Sequence, residues 1–441
     1  MFPSAKVLAI DNDEDDLEMI RDGLHAAGIA CMPILFSPAS PPLEAPLQGV
    51  RIVFLDLNLV DGHLDSAQLA DSAAAALKQY IAHGPYLLVF WSGHSDQAQE
   101  VLRHMRERHT DAPAPLALGI MEKTELVLPD KDNPEYAIRL EILKQRIIQE
   151  VSTSPQLMAL LHWEARLATS AAEVFGELHA LAAGSNYWDF TRVRQQFETL
   201  LCKVAKEAGG VHADENLAMS IGRGLAPLLD DFLYSSLPDE KYEAIWRGAM
   251  PADLGSCKNL PAGVNPAQLN SRCLYDLRPP AATDRGALVE IPLDADWESS
   301  FNKERDDLIA ASYNLDDCAN PGELLNECRC FLLEFSAACD HAQGKERLFR
   351  YVFCTLTPVA FFRTRKGKVL KVYHEAIHRF PPLMVNGKAM MLEANFRHVL
   401  GLPARHQLLG RTLLRIRPQA LDEMAQHYAN HTSRLGIISF H

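Results

Sequence analysis

In the first 126 residues, short apolar runs alternate with helical patterns, and this alternation restricts the fold more than any other feature of the sequence. Runs that are apolar throughout suit strands buried on both faces, and strands that alternate with helices pair in parallel through right-handed crossovers. Five runs qualify, the second of them weakly: KVLAID (6–11), CMPILF (31–36), RIVFLDL (51–57), YLLVFWS (86–92) and PLALGIM (115–121). Helical stretches lie between them at 16–28, 66–83 and 95–108. We therefore predict an open α/β sheet of five strands over residues 1–127.

The segment SPASPPLEAP (37–46) separates the second and third runs and holds four prolines. Proline inside a helix removes a hydrogen bond and clashes with the preceding turn. The helix expected after the second strand is therefore short or missing.

Beyond this region the pattern changes twice. The stretch LPDKDNP (128–134) is typical of a linker, and residues 135–255 are strongly helical, which favours a helical linker, a dimerisation region or an output region. A loop-rich stretch follows from residue 256 and leads into strand-like runs and a last helical pattern at 418–434. We predict a mixed, β-rich third domain over 256–441, with a hairpin turn at 365–368.

Composition agrees with a chain of two or three globular domains. The chain has 441 residues, of which 48% are hydrophobic and 23% charged, and no run of eighteen apolar residues suggests a membrane span. The N-terminal sequence has no signal-peptide pattern, and the nine cysteines are odd in number and scattered. These features predict reduced thiols and a cytoplasmic protein that does not bind membranes.

Charge is distributed unevenly along the chain. Residues 342–441 contain 16 Lys and Arg against 5 Asp and Glu, so this part carries +11 while the whole chain carries −14. A basic tail on an acidic body could bind an anionic partner or could dock on the rest of the chain.

Polar residues of different kinds end four of the predicted strands. They are Asp11 and the following Asn12, Asp56, Ser92, and Lys123 after Glu122. The carboxyl ends of parallel strands meet at one edge of the sheet, where ligands bind. Converging carboxylates suit a hard cation such as Mg²⁺, and a hydroxyl and an ammonium could hold the oxygens of a phosphoryl group on Asp56. The sequence thus predicts a strand that carries a nucleophilic carboxylate to the sheet edge.

In this arrangement the chain resembles the receiver domain of bacterial two-component response regulators. The resemblance covers about residues 5–126 and depends on VLAIDNDEDD, VFLDLNLVDG, FWSG and MEKT, in that order. It implies a flavodoxin-like fold with strand order 2-1-3-4-5, a bound Mg²⁺ and a histidine kinase as partner.

The resemblance also implies a role for each matching residue. Asp56 would be the phospho-acceptor, Asp11 a metal-site carboxylate, Ser92 the switch hydroxyl and Lys123 the phosphate-contacting ammonium. Asn58 matches the position that offers its backbone carbonyl to the metal.

Several positions depart from the family pattern. Asn12 stands where a second acid is usual, so one anionic metal ligand is replaced by a neutral side chain. Thr124 replaces the proline that usually follows the lysine, and Ile120 occupies the position of a switch aromatic residue. Two alternatives therefore stay open: a degenerate receiver that works without phosphorylation, and a different α/β domain.

A receiver usually controls an attached output. The middle region lacks a basic recognition helix, so we expect output through protein–protein contacts, with a homodimer through the helical region as one form. The chain could also act as a phosphate sink for its kinase. The resemblance permits a role in a phage-defence signalling system.

Two features of the third domain suggest other functions. The segment FFRTRKGKVLK mixes aromatic residues with Arg363, Arg365, Lys366 and Lys368, as single-stranded nucleic-acid platforms do, although a solvated or internally paired ribbon has the same pattern.

The segment CRCFLLEFSAACDH is rich in Cys and His. Cys328, Cys330, Cys339 and His341 could form a zinc site, and Cys339 could act as a nucleophile; buried thiols are the alternative for the Cys-x-Cys pair.

Overall fold

The computed structural model describes residues 5–39, 43–60, 62, 64–93, 95–235, 240–337, 341 and 348–433. The chain divides into two compact units. The N-terminal unit comprises Met1–Ala180 and Leu228–Ser256, and the C-terminal unit comprises Leu181–Pro227 and Cys257–His441.

The N-terminal unit is built on a five-stranded parallel sheet in the order β2-β1-β3-β4-β5. The strands are β1 (Val7–Asp11), β2 (Met32–Leu35), β3 (Ile52–Leu55), β4 (Leu87–Ser92) and β5 (Ala117–Glu122). The predicted flavodoxin-like topology is confirmed. Every residue of β1, β3 and β4 is buried, as expected for strands covered on both faces.

Four helices cover this sheet. They are α1 (Glu14–Ala26), α2 (Ser66–Tyr80), α3 (Ala98–Arg108) and α4 (Tyr136–Val151). Asp13 caps α1 by accepting from the backbone N–H groups of Asp15 and Asp16, and Asp65 forms a capping box with Gln68 at the start of α2. Within the described residues 36–39 and 43–51 no helix follows β2, which agrees with the proline-rich sequence.

Helix α4 packs on α1 and on β5. Gly23 of α1 makes this approach possible, since a Cβ atom there would lie 2.7 Å from Leu143 of α4. Leu143 and Ile147 are buried in the same core as the strands. The helical region predicted from residue 135 therefore contributes its first helix to the core of the α/β sheet.

The middle of the chain is helical, as predicted. The helices are α5 (Pro155–Ala183), α6 (Phe190–Gly209), α7 (Leu217–Ser235), α8 (Glu240–Ala249) and α9 (Pro266–Cys273). In the described part of the chain, no helix combines the length and the hydrophobicity that a membrane span requires.

The C-terminal unit contains an eight-stranded antiparallel sheet, which confirms the predicted β-rich region. Its strands are β6 (Tyr275–Asp276), β7 (Ala287–Glu290), β8 (Arg329–Glu334), β9 (Phe349–Pro358), β10 (Ile377–Arg379), β11 (Leu383–Val385), β12 (Lys388–Leu402) and β13 (Thr412–Ile416). The order is β10-β12-β9-β8-β7-β13-β6, with β11 paired to β12. One hydrophobic core includes residues of α13 (Pro418–Thr432), and another includes residues of α10 (Trp297–Phe301), α11 (Arg305–Ala310) and α12 (Pro321–Glu327).

The basic segment after β9 differs in part from the prediction. A tight turn is present, with Gly367 at φ 73° and a single antiparallel bridge between Arg363 and Val369. The expected second strand does not form over 370–376, because β9 already ends at Pro358 and the chain turns away through 359–361.

Candidate functional site

Four polar side chains lie at the carboxyl ends of the parallel strands. Asp11 ends β1, Asp56 follows β3, Ser92 ends β4, and Lys123 begins a short 3₁₀ turn after β5. The exposed fraction is 1% for Asp11, 4% for Asp56, 1% for Ser92 and 9% for Lys123. Buried charges are costly unless they are paired, so the charged side chains at this edge of the sheet need partners of opposite charge.

The Lys123 ammonium connects three carboxylates from three different elements. Its Nζ donates to Asp11 Oδ2 at 2.6 Å and to Asp16 Oδ2 at 2.7 Å. It also lies 3.4 Å from Asp56 Oδ1. The structure thus brings together Asp11, Asp56 and Lys123, as the sequence predicted, and adds Asp16 from the first turn of α1.

Burial and like charge disturb the titration of this cluster. Burial raises the pKa of Asp11 to about 6; Lys123 opposes this shift, and the Asp56 carboxylate adds to it. Burial acts to lower the pKa of Lys123, but the carboxylates of Asp56 and Asp11 outweigh it, so the pKa lies above its ordinary value. Lys123 therefore stays protonated, whereas the carboxylates around it repel one another.

The charges at this edge do not cancel. Three carboxylates face one ammonium, which leaves a net charge of −2, and a divalent cation would neutralise it. The buried oxygens of Asp11 and Asp56 are hard ligands of the kind that Mg²⁺ prefers.

The arrangement is nevertheless not a preformed metal cage. Among the described residues, no group of three or more His, Cys, Asp or Glu side chains has a geometry ready to hold a metal ion. At this edge the Lys123 ammonium lies between the carboxylates. Repulsion by the Lys123 ammonium would oppose a cation that approaches Asp11 and Asp56, and it would weaken if Lys123 moved away.

The other predicted residues lie near this edge of the sheet. Ser92 is buried and pairs in register with Glu122 on β5. Asn12 and Asn58 are half-buried in the segments that follow β1 and β3. Thr124 is exposed, and its hydroxyl donates to Glu122 Oε1 at 2.9 Å. The metal-binding and switch roles of these residues stay predictions.

Asp16 is the site residue that sequence reasoning missed. Acids fill most of the stretch from Asp11 to Asp16, and the sequence alone does not show which of them begins the helix. Because Asp13 is the cap, Asp16 falls in the first turn of α1 and reaches the end of β5. Recognising Asp13 as the helix cap in this acidic run would have indicated that Asp16 lies in the first turn of α1.

The cysteine-rich segment lies partly outside the described residues. Cys339 falls there, and His341 is half-buried with its Nε2 4.0 Å from Asp284 Oδ1. Cys328 and Cys330 are both buried, and a hydrogen bond that the Cys330 thiol donates to Cys328, together with burial, raises the pKa of Cys330. The described part of this segment shows buried thiols, and zinc binding stays a prediction.

The basic turn is exposed. Arg363, Arg365, Lys366 and Lys368 all face solvent, and none of the four forms an ion pair within the described residues. In the described part of the chain, these cations therefore have no carboxylate partner. A solvated ribbon would have this property, and so would a surface that binds nucleic acid.

Comparisons with known proteins give little further information. No family model matches the chain, and no curated protein matches it. A solved structure of full-length FixJ from B. japonicum is 15% identical, with a TM-score of 0.17, and covers 50% of this chain and 98% of its own. A fusion that carries a trimeric coiled-coil segment of yeast Spc42 is 17% identical, with a TM-score of 0.17, and covers 39% of this chain and 99% of its own. At such TM-scores neither likeness supports a structural argument.

Proposed function

We propose that the N-terminal unit is the receiver of a cytosolic bacterial response regulator, which accepts a phosphoryl group from a histidine kinase on Asp56. One observation carries the proposal. The Asp56 carboxylate lies at the carboxyl end of a parallel strand, with a Lys ammonium 3.4 Å from its Oδ1 and a second buried carboxylate sharing that ammonium. The order of strands, which places all of these groups at one edge, supports it.

The residues present can perform the transfer. An Asp56 oxygen attacks the phosphorus of the phosphohistidine, so that an O–P bond forms as the P–N bond breaks and the imidazole leaves with its electron pair. The oxygens of the transferred phosphoryl group need positive charge and hydrogen-bond donors, which the Lys123 ammonium and the Ser92 hydroxyl would supply. A Mg²⁺ held by Asp11 and Asp56 would supply further neutralisation of the phosphoryl charge.

Intact-mass measurement after incubation with acetyl phosphate and Mg²⁺ tests this function. We expect one added phosphoryl group on the wild-type chain and none on Asp56→Asn, which keeps the side-chain shape and removes the nucleophile. Asp15→Asn removes a charge from an exposed position in the same acidic run and should be phosphorylated like wild type. Equal phosphorylation of wild type and Asp56→Asn would contradict the proposal.

The main competing function is a receiver-like domain that signals without phosphorylation. The observation in its favour is that Lys123 already bridges the acids, so the cluster could be a permanent ion-pair network. This function predicts no acyl phosphate on wild type under any Mg²⁺ concentration, and the same experiment decides between the two.

We propose that output occurs through protein–protein contacts, including a homodimer through the helical region. Large apolar side chains before and at the start of α6 support this, since Trp188 is 82% exposed and Phe190 is 69% exposed. Light scattering of the phosphorylated and unphosphorylated chain tests for a phosphorylation-dependent change in mass. A phosphate sink would instead shorten the lifetime of the phosphorylated kinase with no change in assembly. A phage-defence setting is compatible with either output.

A second candidate is nucleic-acid binding through the basic turn, which the exposure of its four cations favours. Oligonucleotide retention should then fall steeply with salt and disappear when Arg363, Arg365, Lys366 and Lys368 are all changed to Gln. Retention that the fourfold change leaves intact would exclude this surface.

A further inference from the structure

We propose that Asp16 is a positioning residue of this site. Its carboxylate binds the Lys123 ammonium on the solvent side of Asp11 and Asp56, so that a divalent cation can reach these two buried acids. The inference rests on the proposed function, since it concerns how the same site accepts its cation.

The first step of the argument is that both oxygens of Asp11 are in use. Oδ1 accepts from the backbone N–H of Asp13 at 3.0 Å, and Oδ2 accepts from Lys123 at 2.6 Å. A cation approaching Asp11 would also meet the positive charge of Lys123. Cation binding is therefore favoured when Lys123 leaves Asp11 for another partner.

The second step is that Asp16 is placed to be that partner. Its Oδ2 already binds Lys123 at 2.7 Å. The side chain of Asp16 is 33% exposed, whereas those of Asp11 and Asp56 are 2% and 6% exposed. A shift of the ammonium from Asp11 toward Asp16 would move it toward solvent and away from the buried acids, without leaving it unpaired.

The third step is the charge of the cation-bound state. Asp11, Asp16 and Asp56 together would balance one ammonium and one divalent cation, because Asn12 contributes no charge. Without Asp16, the two buried acids would face three positive charges, and the excess would lie at a poorly solvated edge of the sheet. Asp16 thus supplies the charge that Asn12 does not.

Titration calorimetry of the full chain with MgCl₂ alone tests this role. We expect Asp16→Asn to weaken Mg²⁺ binding roughly tenfold or more, the scale found for groups that position metal ligands. Asp16→Glu, which keeps the charge, should retain most of the affinity. Asp15→Asn, an exposed neighbour in the same helical turn, should change it by less than about twofold. Thermal unfolding of each variant shows whether it is folded.

A double-mutant cycle with Lys123→Met tests whether Asp16 acts through Lys123. In the Lys123→Met background, Asp16→Asn should weaken Mg²⁺ binding no more than Asp15→Asn does. The same loss in both backgrounds, or no loss in either, would overturn the inference.

Phosphorylation separates this inference from the proposed function. If wild type accepts a phosphoryl group on Asp56 while Asp16→Asn matches Asp15→Asn in Mg²⁺ affinity, only the role of Asp16 is refuted. If wild type neither binds Mg²⁺ nor accepts the phosphoryl group, both proposals fail.

Discussion

The two sheets of this protein both bury charged side chains, but they do so at different places and with different balance. In the parallel sheet, Asp11, Asp56 and Lys123 lie at the strand ends, and negative charge exceeds positive charge. In the antiparallel sheet, Arg379 at the end of β10 lies opposite Glu393 in the middle of β12, and one cation meets one anion at 2.7 Å.

The row around Glu393 continues across the antiparallel sheet. Glu393 lies opposite Thr355, and Thr355 lies opposite Cys330. Tyr313 covers this row and donates its hydroxyl to Thr355 Oγ1 at 2.6 Å. The Arg379 guanidinium is 4.7 Å from the ring centre of Phe362.

Under the proposed function, this difference separates a ligand-binding site from a structural ion pair. An excess of buried carboxylates at a sheet edge destabilises the fold, and a bound cation can offset this cost; such an excess is typical of functional sites. The pair inside the antiparallel sheet joins one cation to one anion. Truncating the acid that pairs with Arg379, and neutralising Asp11 without changing its shape, should therefore have opposite effects on stability.

The largest expected effect is the loss of the buried pair in the antiparallel sheet. Burial raises the pKa of Glu393 to about 7 while Arg379 opposes the shift, and the residue is 1% exposed. Glu393→Ala leaves Arg379 without its partner and should lower the free energy of unfolding by about 3 kcal/mol. Denaturant titration of the full chain measures this change.

The exposed pair on the same sheet is the matched control. Glu290 binds Arg329 at 2.7 Å, but its side chain is 34% exposed. Glu290→Ala should cost less than about 1 kcal/mol. Equal losses for the two variants would mean that burial does not distinguish these pairs.

The next effect is acid sensitivity of the antiparallel sheet. Burial lowers the pKa of His378 from 6.5 to about 4, and the neighbouring His427 lowers it further; their Nδ1 atoms are 2.8 Å apart. The unfolded chain binds this proton more readily, so the contribution of His378 to stability is full above pH 6.5 and is lost as the pH falls toward 4. At pH 5 the loss is on the order of 2 kcal/mol.

Thermal unfolding of wild type and His378→Gln from pH 7.5 to pH 5 measures this loss as a difference between the two proteins. Glu393, whose pKa is raised to about 7, stabilises both proteins as the pH falls, so we expect His378→Gln to gain stability relative to wild type, by on the order of 2 kcal/mol at pH 5. His162→Gln, at an exposed position, should keep the wild-type dependence. If the slope for His378→Gln equals that of wild type, the acid sensitivity arises elsewhere.

The smallest effect has the opposite sign and lies at the parallel sheet. Asp11→Asn removes a buried charge that its surroundings disfavour, and it should raise the free energy of unfolding by about 1 kcal/mol. The same variant should lose Mg²⁺ binding in calorimetry. A loss of stability as large as that of Glu393→Ala would remove the contrast between the sheets.

Sequence reasoning predicted the parts that depend on local pattern. Apolar runs identified the strands, and the parallel order then required that Asp11, Asp56 and Lys123 meet, because strand ends of a parallel sheet share an edge. The parts that depend on helix phase or on long-range packing were not accessible. Asp16 depends on which acid caps α1, and the docking of α4 depends on the space that Gly23 leaves for Leu143.

The antiparallel sheet shows the same limit in a stronger form. The apolar, β-branched and aromatic run at 349–358 indicates a strand. Its partners and register place Thr355 between Glu393 and Cys330, and no local pattern contains that information. The pairing of Arg379 with Glu393 likewise joins residues whose relation appears only in the folded sheet.

The most direct test of the phosphoryl-acceptor site is to find which residue carries the phosphoryl group. The full chain is phosphorylated with acetyl phosphate and Mg²⁺, reduced with borohydride, and digested for peptide mass spectrometry. An acyl phosphate on Asp56 is reduced to homoserine at position 56, and we expect this product in wild type alone and not in Asp56→Asn. Reduction at Asp11, Asp13 or Asp16 instead, or no reduced residue at all, would contradict the assignment of Asp56 as the acceptor.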